Sequence, residues 1–276
     1  ATTWLYHVLS THEAIWLPPI KELRYLWYRR NFPNEGPWKR IFNFDDRWHR
    51  RAQRDYIRSR LRSLLSVQSF AFNRDYRRFC WDFRYAFAKH TDRWYLDLFK
   101  MKEGRLSGDL SPQYFFLPHS DIGRIAQFLP ETRFLFTLRN PVDWNWSFYC
   151  MDLKSGHATE DFKDFDDYLQ CKFGGHSFSR SVLAWQSAIR ERNLKILWFE
   201  DLASDPRKYI DEVCDFLQIC PRGIDDTLFH DKINVGSSIA PPMDVRRILK
   251  ERWASDVSNL DKTFTLPNSW VSEFGL

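Results

Sequence analysis

The sequence predicts an α/β protein built on a mainly parallel sheet. Three observations carry that expectation. Two continuous apolar runs, "RFLFTLR" (133–139) and "LKILWFEDL" (194–202), read as strands buried on both faces, as parallel strands covered by helices must be. Segments of helical periodicity precede and follow each run, so strands alternate with helices. The 276 residues contain no internal repeat and no linker long enough to divide them, which predicts one domain over 1–276.

The elements follow in order. Thr3 to Leu9 read as a helix with Leu5, Val8 and Leu9 on one face, and His12 falls in the turn that ends it. "IWLPPIKEL" reads as a short extended run broken by Pro18 and Pro19, with Glu22 near its end. Residues 24–105 are rich in Arg and aromatics. Ile57, Leu61, Leu64 and Leu65 mark a helix there, with arginines on its other faces. Those arginines are either a solvated face or the anion-lined wall of a cleft. "GDLSPQYFFLP" (108–118) is turn-rich, and a helix fits Asp121 to Leu129, with Ile122, Ile125, Ala126 and Leu129 inward and Pro130 as its stop. A helix follows "NPVDW", another spans Phe178 to Glu191, and Asp205-Pro206 is an N-cap with proline at the first helical position. Ile210, Val213, Cys214 and Leu217 form the buried face of that helix. After a loop at 231–243, a last amphipathic helix begins near Asp244.

Composition narrows the functional classes. Hydrophobic residues are 43% of the chain, enough for a sizeable core, and aromatics reach 17%, with 24 Phe and 13 Trp. The net charge of +5 suits an anionic ligand, while total charge cannot show the concentrated stripe of a nucleic-acid binder. The 10 Gly and 13 Pro exclude a low-complexity chain. Five cysteines without a C-x-x-C pair argue against a zinc site, and Cys214 reads as a core thiol; whether any two cysteines pair stays open. No run reaches the ~18 consecutive apolar residues of a membrane span, and no signal peptide is visible.

Two constellations point to chemistry. "ATTW" places Thr2 and Thr3 at a helix start, where free N–H groups, the helix dipole and hydroxyls can hold an anion; an ordinary N-cap is the other reading. In "LRNPVDWNWS", Arg139 closes a strand and Ser147 lies about one turn into the next helix. The two can converge on one phosphate, or Arg139 can pair with a carboxylate at the sheet edge.

With those residues in view, the chain resembles sulfotransferases that use 3′-phosphoadenosine-5′-phosphosulfate (PAPS), closest to the carbohydrate and heparan-type branch and its bacterial relatives. Ala1, Thr2 and Thr3 match the end of that family's Lys-x-Gly-Thr-Thr loop, with Ala in place of Gly. "LRNPVDWNWS" is similar to its 3′-phosphate motif, "GDLSPQY" to its Gly-Glu-Lys-Ser-Pro-Ser-Tyr segment, "LWFEDLASDP" to its Tyr-Glu-Asp-Leu stretch, and "INVGSSIAPPM" to its late cofactor-covering loop. The likeness runs from residue 1 to about 270.

The resemblance implies a P-loop-like three-layer α/β fold with a central parallel sheet. The helical, Arg- and aromatic-rich stretch 24–105 reads as an insertion, the least family-like part of the chain, that would build much of the acceptor cleft. The resemblance places the first strand and the loop lysine ahead of Ala1. It implies PAPS as donor, PAP as product and no metal. Ala1, Thr2, Thr3, Trp4, Arg139 and Ser147 would hold the cofactor, joined by Lys232, Asn234 and Gly236 of the late loop, where an ordinary turn is the other reading. Glu22 would be the general base, its pKa raised by burial beside aromatics such as Tyr25, with Lys21 and Arg24 at the substrate. A surface pairing of Glu22 with Lys21 or Arg24 is the alternative. His90 and His119 are rival bases, by analogy with the branch that sulfates phenols and steroids. Leu110 stands where that family's segment has Lys, which weakens a specific heparan assignment.

The implied partner is a carbohydrate or small-molecule acceptor, with no nucleic acid. Oligomeric state stays open, as does the compartment: cytoplasm for a bacterial protein, or a membrane anchor ahead of Ala1. The competing classes are a non-catalytic polyanion or nucleic-acid binder, supported by the basic, aromatic 24–105 stretch, and a nucleotide kinase, for which no G-x-x-x-x-G-K-[ST] motif is visible.

Overall fold

The computed structural model describes residues 2–28, 55–60, 62, 76–158, 165–229 and 240–276. The chain divides into two compact units, one of Ala1–Leu5 with Pro112–Leu276, the other of Tyr6–Ser111. Helix α1 (Thr2–Thr11) buries Leu5, Val8 and Leu9, as their spacing predicts.

In the unit Tyr6–Ser111, α1 ends in a turn built on His12, whose Nδ1 accepts from the Ala14 N–H at 3.1 Å. That turn delivers strand β1 (Ile15–Trp16), paired in parallel with β2 (Leu106–Ser107). The ladder is short because Pro18 and Pro19 have no N–H to extend it. Pro18 still accepts through its carbonyl, from the Tyr6 hydroxyl at 2.7 Å. Helix α2 (Tyr25–Tyr28) follows, residues 55–60 are helical with Ile57 buried, and α3 (Tyr76–Phe87) and α4 (Asp92–Asp97) complete the unit. Leu61, Leu64 and Leu65 lie outside the described residues.

The Arg-rich surface here is partly internal. Arg60 Nε donates to Asp82 Oδ2 at 2.7 Å, Arg78 contacts the same carboxylate, and the Tyr56 hydroxyl donates to its Oδ1. Asp82 is buried, so these arginines neutralise a charge that would otherwise be costly. Arg58 and Arg62 of the same helical segment are exposed, as a solvated face requires.

In the other unit, a 3₁₀ turn (Pro112–Phe116) leads to α5 (His119–Phe128), β3 (Phe134–Leu138), α6 (Pro141–Lys154), α7 (Phe165–Phe173), α8 (Phe178–Ala188), β4 (Leu194–Trp198), α9 (Phe199–Ser204), α10 (Pro206–Leu217), α11 (Met243–Asp261) and α12 (Asn268–Phe274). Strands β3 and β4 pair in parallel from Phe134↔Leu194 to Leu138↔Trp198. Parallel strands interleaved with helices make the fold α/β. Among the described residues the strands pair two by two, β1 with β2 and β3 with β4.

Several boundaries differ from the sequence expectation. The run 194–202 is a strand only to Trp198, because β3 has no residue left to pair beyond Leu138. There Asn140 caps α6 by accepting from the Val142 N–H at 2.9 Å, and Pro141 takes the first helical turn. The unpaired "FEDLAS" then closes into α9, with Glu200 and Asp201 in its first turn. Helix α5 begins at His119 rather than Asp121, and α8 ends at Ala188, giving way to a 3₁₀ turn at Glu191–Asn193. Ser147 sits nearly two turns into α6, not one.

Side chains from four helices meet in one core. Val142, Trp146, Tyr149 and Cys150 of α6 pack with Phe165, Leu169 and Phe173 of α7, Val245 and Leu249 of α11, and Phe274 of α12. Trp185 and Trp270 are fully buried elsewhere in the unit. None of the five cysteines forms a disulfide, and burial pushes the Cys214 thiol up to about 11, as its core position predicts.

Candidate functional site

Thr2 and Thr3 occupy the first turn of α1, half-buried. Trp4 behind them is buried against Tyr209 of α10, at 6.3 Å between ring centroids, and against Phe229 at 6.0 Å. The Tyr209 hydroxyl in turn makes a short hydrogen bond with Thr137 of β3. Burial raises the Tyr209 phenol to about 12, so it stays a neutral tether. The start of α1 is thus tied, through Trp4 and Tyr209, to the C-terminal part of β3. Arg139 leaves that strand end two residues later. Four expected cofactor residues, Thr2, Thr3, Trp4 and Arg139, are joined by this path, and Ser147 projects from α6 in the same unit.

Among the described residues, Arg139 pairs with no carboxylate. Its guanidinium lies over the Phe199 ring, with Cζ 4.8 Å from the centroid, and its buried Nε has no hydrogen-bond partner among them. Beside it, Glu200 accepts from the Asn140 N–H through Oε1 at 3.1 Å, while Oε2 is buried without a described partner. Burial raises the Glu200 pKa above the ordinary carboxylate value, offset in part by Trp270 and the Asn140 N–H. An orphaned buried N–H on a guanidinium is costly unless something accepts from it, and an anion meets that need best. Sequence reasoning does not single out Phe199, Asn140 or Glu200. The "FEDL" stretch is the available signal, but read as strand it points alternate residues to opposite faces.

Glu22, Lys21 and Arg24 belong to the other unit. Lys21 Nζ donates to Glu22 Oε1 at 3.1 Å, and Arg24 Nε donates to Oε2 at 3.0 Å with a second, short contact from Nη2. Burial pushes the Glu22 pKa up, yet Arg24 and Lys21 outweigh it and the net position is below the ordinary value. The expected upward shift is therefore corrected: burial acts in that direction, but the two cations together outweigh it. Pairing with Lys21 and Arg24 is present, but half-buried rather than on the open surface.

The backbone around Glu22 is unusual. Glu22 and Arg24 both have left-handed φ, at 61° and 56°. Asp109 Oδ1 accepts from the Leu23 N–H at 3.1 Å and from the Ser111 hydroxyl at 2.8 Å, and Ser111 Oγ accepts from the Arg24 N–H at 3.1 Å. The "GDLSP" segment thus grips the two peptides that follow Glu22.

The rival histidines have other surroundings. His119 opens α5 on the surface, its Nε2 3.1 Å from Ser187 Oγ, and His90 lies against the Trp94 ring at 3.9 Å. Ala1, Lys232, Asn234 and Gly236 lie outside the described residues. Among the described residues there is no cluster of His, Cys, Asp and Glu suited to a metal, and no helix long and apolar enough to cross a membrane.

The chain is similar over 98% of its length to the crystal structure of a sulfotransferase from Alicyclobacillus acidocaldarius, covering 94% of that chain with a TM-score of 0.66 at 20% identity, which shows a shared fold. A sulfotransferase domain from the curacin biosynthetic pathway aligns over 99% of this chain and 90% of its own at 16% identity, with a TM-score of 0.47. No curated protein sequence matches significantly. The family model described as "Sulfotransferase family" matches residues 1–220, four-fifths of the sequence, and the chain accordingly belongs to the sulfotransferase family.

Proposed function

We propose that the protein transfers a sulfuryl group from PAPS to a hydroxyl or amine of a carbohydrate or small-metabolite acceptor, with Glu22 as general base. The observation that carries the donor assignment is Arg139. It stands at the C-terminal end of a parallel strand with a buried Nε that no described residue satisfies, which suits the anionic phosphate of a phosphoadenosine group. When bound, PAPS supplies the activated sulfuryl group and a leaving phosphate.

The remaining work falls to the chain's own residues. Arg139 neutralises phosphate charge and fixes its orientation, and Phe199 holds the guanidinium flat. Thr2, Thr3 and the N–H groups at the start of α1 supply donors and the positive end of a helix dipole. Ser147, Lys232, Asn234 and Gly236 complete the cofactor set by resemblance. Glu22 takes the acceptor proton, while Lys21 and Arg24 hold its carboxylate charged and available, at the cost of basicity. Lys21 and Arg24 also offer charge to an anionic acceptor.

The test is thermal unfolding with and without PAP. A ligand that binds only the native state raises the midpoint. At about 100 times its Kd the gain is roughly 2.7 kcal/mol. The midpoint should rise in the wild type and stay put in Arg139→Ala. No shift at saturating PAP, with steeply salt-dependent heparin binding, would identify a polyanion binder instead.

A further inference from the structure

We propose that Asp109 is a positioning residue for Glu22: with Ser111 it fixes the two peptides after Glu22 and so sets where that carboxylate points. The inference rests on the reading of Glu22 as the general base.

The geometry is specific. The Leu23 N–H belongs to the Glu22–Leu23 peptide, so its bond to Asp109 Oδ1 fixes ψ of Glu22. The Arg24 N–H belongs to the next peptide, so its bond to Ser111 Oγ fixes ψ of Leu23. Ser111 is itself held by the same Asp109 oxygen, at 2.8 Å. One carboxylate oxygen therefore governs both peptides, directly and through a buried hydroxyl. The other oxygen accepts from the Tyr95 hydroxyl at 3.3 Å, and Tyr95 stacks on Tyr25 with centroids 4.9 Å apart. The Asp109 side chain is thus anchored on one side and does its holding on the other.

What it holds would not hold itself. Left-handed φ at a non-glycine residue is disfavoured, and Glu22 and Arg24 both adopt it on either side of Leu23. That double reversal turns Arg24 back so that its guanidinium meets Glu22 Oε2. Without the grip, residues 22–24 would relax to ordinary φ, and Arg24 would leave the carboxylate. Strain that the surrounding structure over-determines is what a closely aimed catalytic group requires. A segment whose only task was to link β1 to α2 could take ordinary φ.

Lys21 and Arg24 face Glu22 from its own segment, and Asp109 acts from behind through the backbone. The experiment follows the Glu22 carboxylate by ¹³C NMR titration, with the turnover of PAPS to PAP, water being the acceptor, as a second readout. The proteins are wild type, Asp109→Ala, Asp109→Asn, Ser111→Ala and Glu22→Gln. Asp109→Ala should move the Glu22 titration up toward the ordinary carboxylate value and slow turnover roughly tenfold or more, with PAP binding unchanged. Asp109→Asn keeps an acceptor oxygen and should restore both properties. Ser111→Ala frees only the Arg24 peptide and should fall between, which preserves the test if Asp109→Ala does not fold. A Glu22 titration unmoved in both Asp109→Ala and Ser111→Ala overturns the positioning role, whatever Glu22 does. Wild-type turnover in Glu22→Gln overturns the base assignment instead, and leaves the titration result to be judged separately.

Discussion

At Glu22, burial and two nearby cations act in opposite directions, and the cations win. A carboxylate with a depressed folded pKa stabilises the native state above its unfolded value of 4.5 and loses that contribution as pH falls through the lower folded value. The stability gap between wild type and Glu22→Gln, measured by urea unfolding, should therefore be full at pH 7 and shrink toward pH 3. On the proposed reading of Glu22 as general base, the same substitution should cost about 10²- to 10⁴-fold in kcat while PAP binding is unaffected. Arg139 shows the complementary case. Its Nε has no hydrogen-bond partner among the described residues, although Glu200 nearby accepts from the adjacent Asn140 N–H. Arg139→Lys keeps the charge but loses the planar fork, and should retain only part of the PAP stabilisation in the thermal assay.

Helix ends carry much of the organisation at the level of elements. The start of α8 is held by Asp256 of α11, which accepts from the Ser177 hydroxyl at 2.6 Å, the Phe178 N–H at 2.6 Å, and both the N–H and the hydroxyl of Ser179. A carboxylate in that position satisfies orphan donors and complements the helix dipole. By contrast, Asp205 caps α10 through one bond, to the Lys208 N–H at 2.9 Å, on the surface. Asp205→Ala should cost about 1 kcal/mol. Asp256→Ala strips a charged acceptor from several donors at once and should cost about 3 kcal/mol. Equilibrium denaturation of the two variants decides the order, and a smaller loss at Asp256 would show that water replaces the carboxylate.

For the molecule as a whole, aromatic density is the dominant feature of the larger unit. Trp185 is fully buried, contacts Phe134 and Phe136 of β3 at 4.9 and 4.8 Å, and donates from Nε1 to the Phe115 carbonyl at 3.1 Å. Trp185→Ala should cost about 3–5 kcal/mol, read as a lower denaturation midpoint. His176 sits in a similar setting, with Phe116, Phe173 and Trp144 rings around it and no partner for Nδ1 among the described residues. Burial, reinforced by Arg252, lowers its pKa below 6.5. The unfolded chain therefore takes up this proton first, so stability is lost as pH falls below about 6.5. His176→Phe should flatten that part of the pH–stability curve between pH 8 and pH 5.5, and an unchanged slope would assign it to other histidines.

Local pattern makes part of this protein legible from its residues alone. The apolar run of β3, the Asp205-Pro206 cap and the buried face through Ile210, Val213 and Cys214 depend on neighbours within a turn or a strand, and the structure reproduces them. The ordered motifs also indicate the sulfotransferase family, since short anion-binding segments keep residue type and spacing. Where β4 stops depends on the length of β3, a partner some sixty residues away in the chain, so periodicity alone runs the strand too far. Whether Glu22 is raised or lowered depends on how close the Arg24 and Lys21 side chains come to its carboxylate, which spacing along the chain does not show. The grip of Asp109 on residues 23 and 24 spans 86 positions and leaves no trace in either segment's pattern. Sequence by itself determined the class of fold and the family and supplied the candidate site residues, because those are written in local spacing and chemistry. Tertiary structure alone decided the lowered pKa of Glu22, the lack of a hydrogen-bond partner for Arg139 Nε among the described residues and the left-handed backbone at Glu22 and Arg24, because each depends on a three-dimensional placement that local pattern does not record.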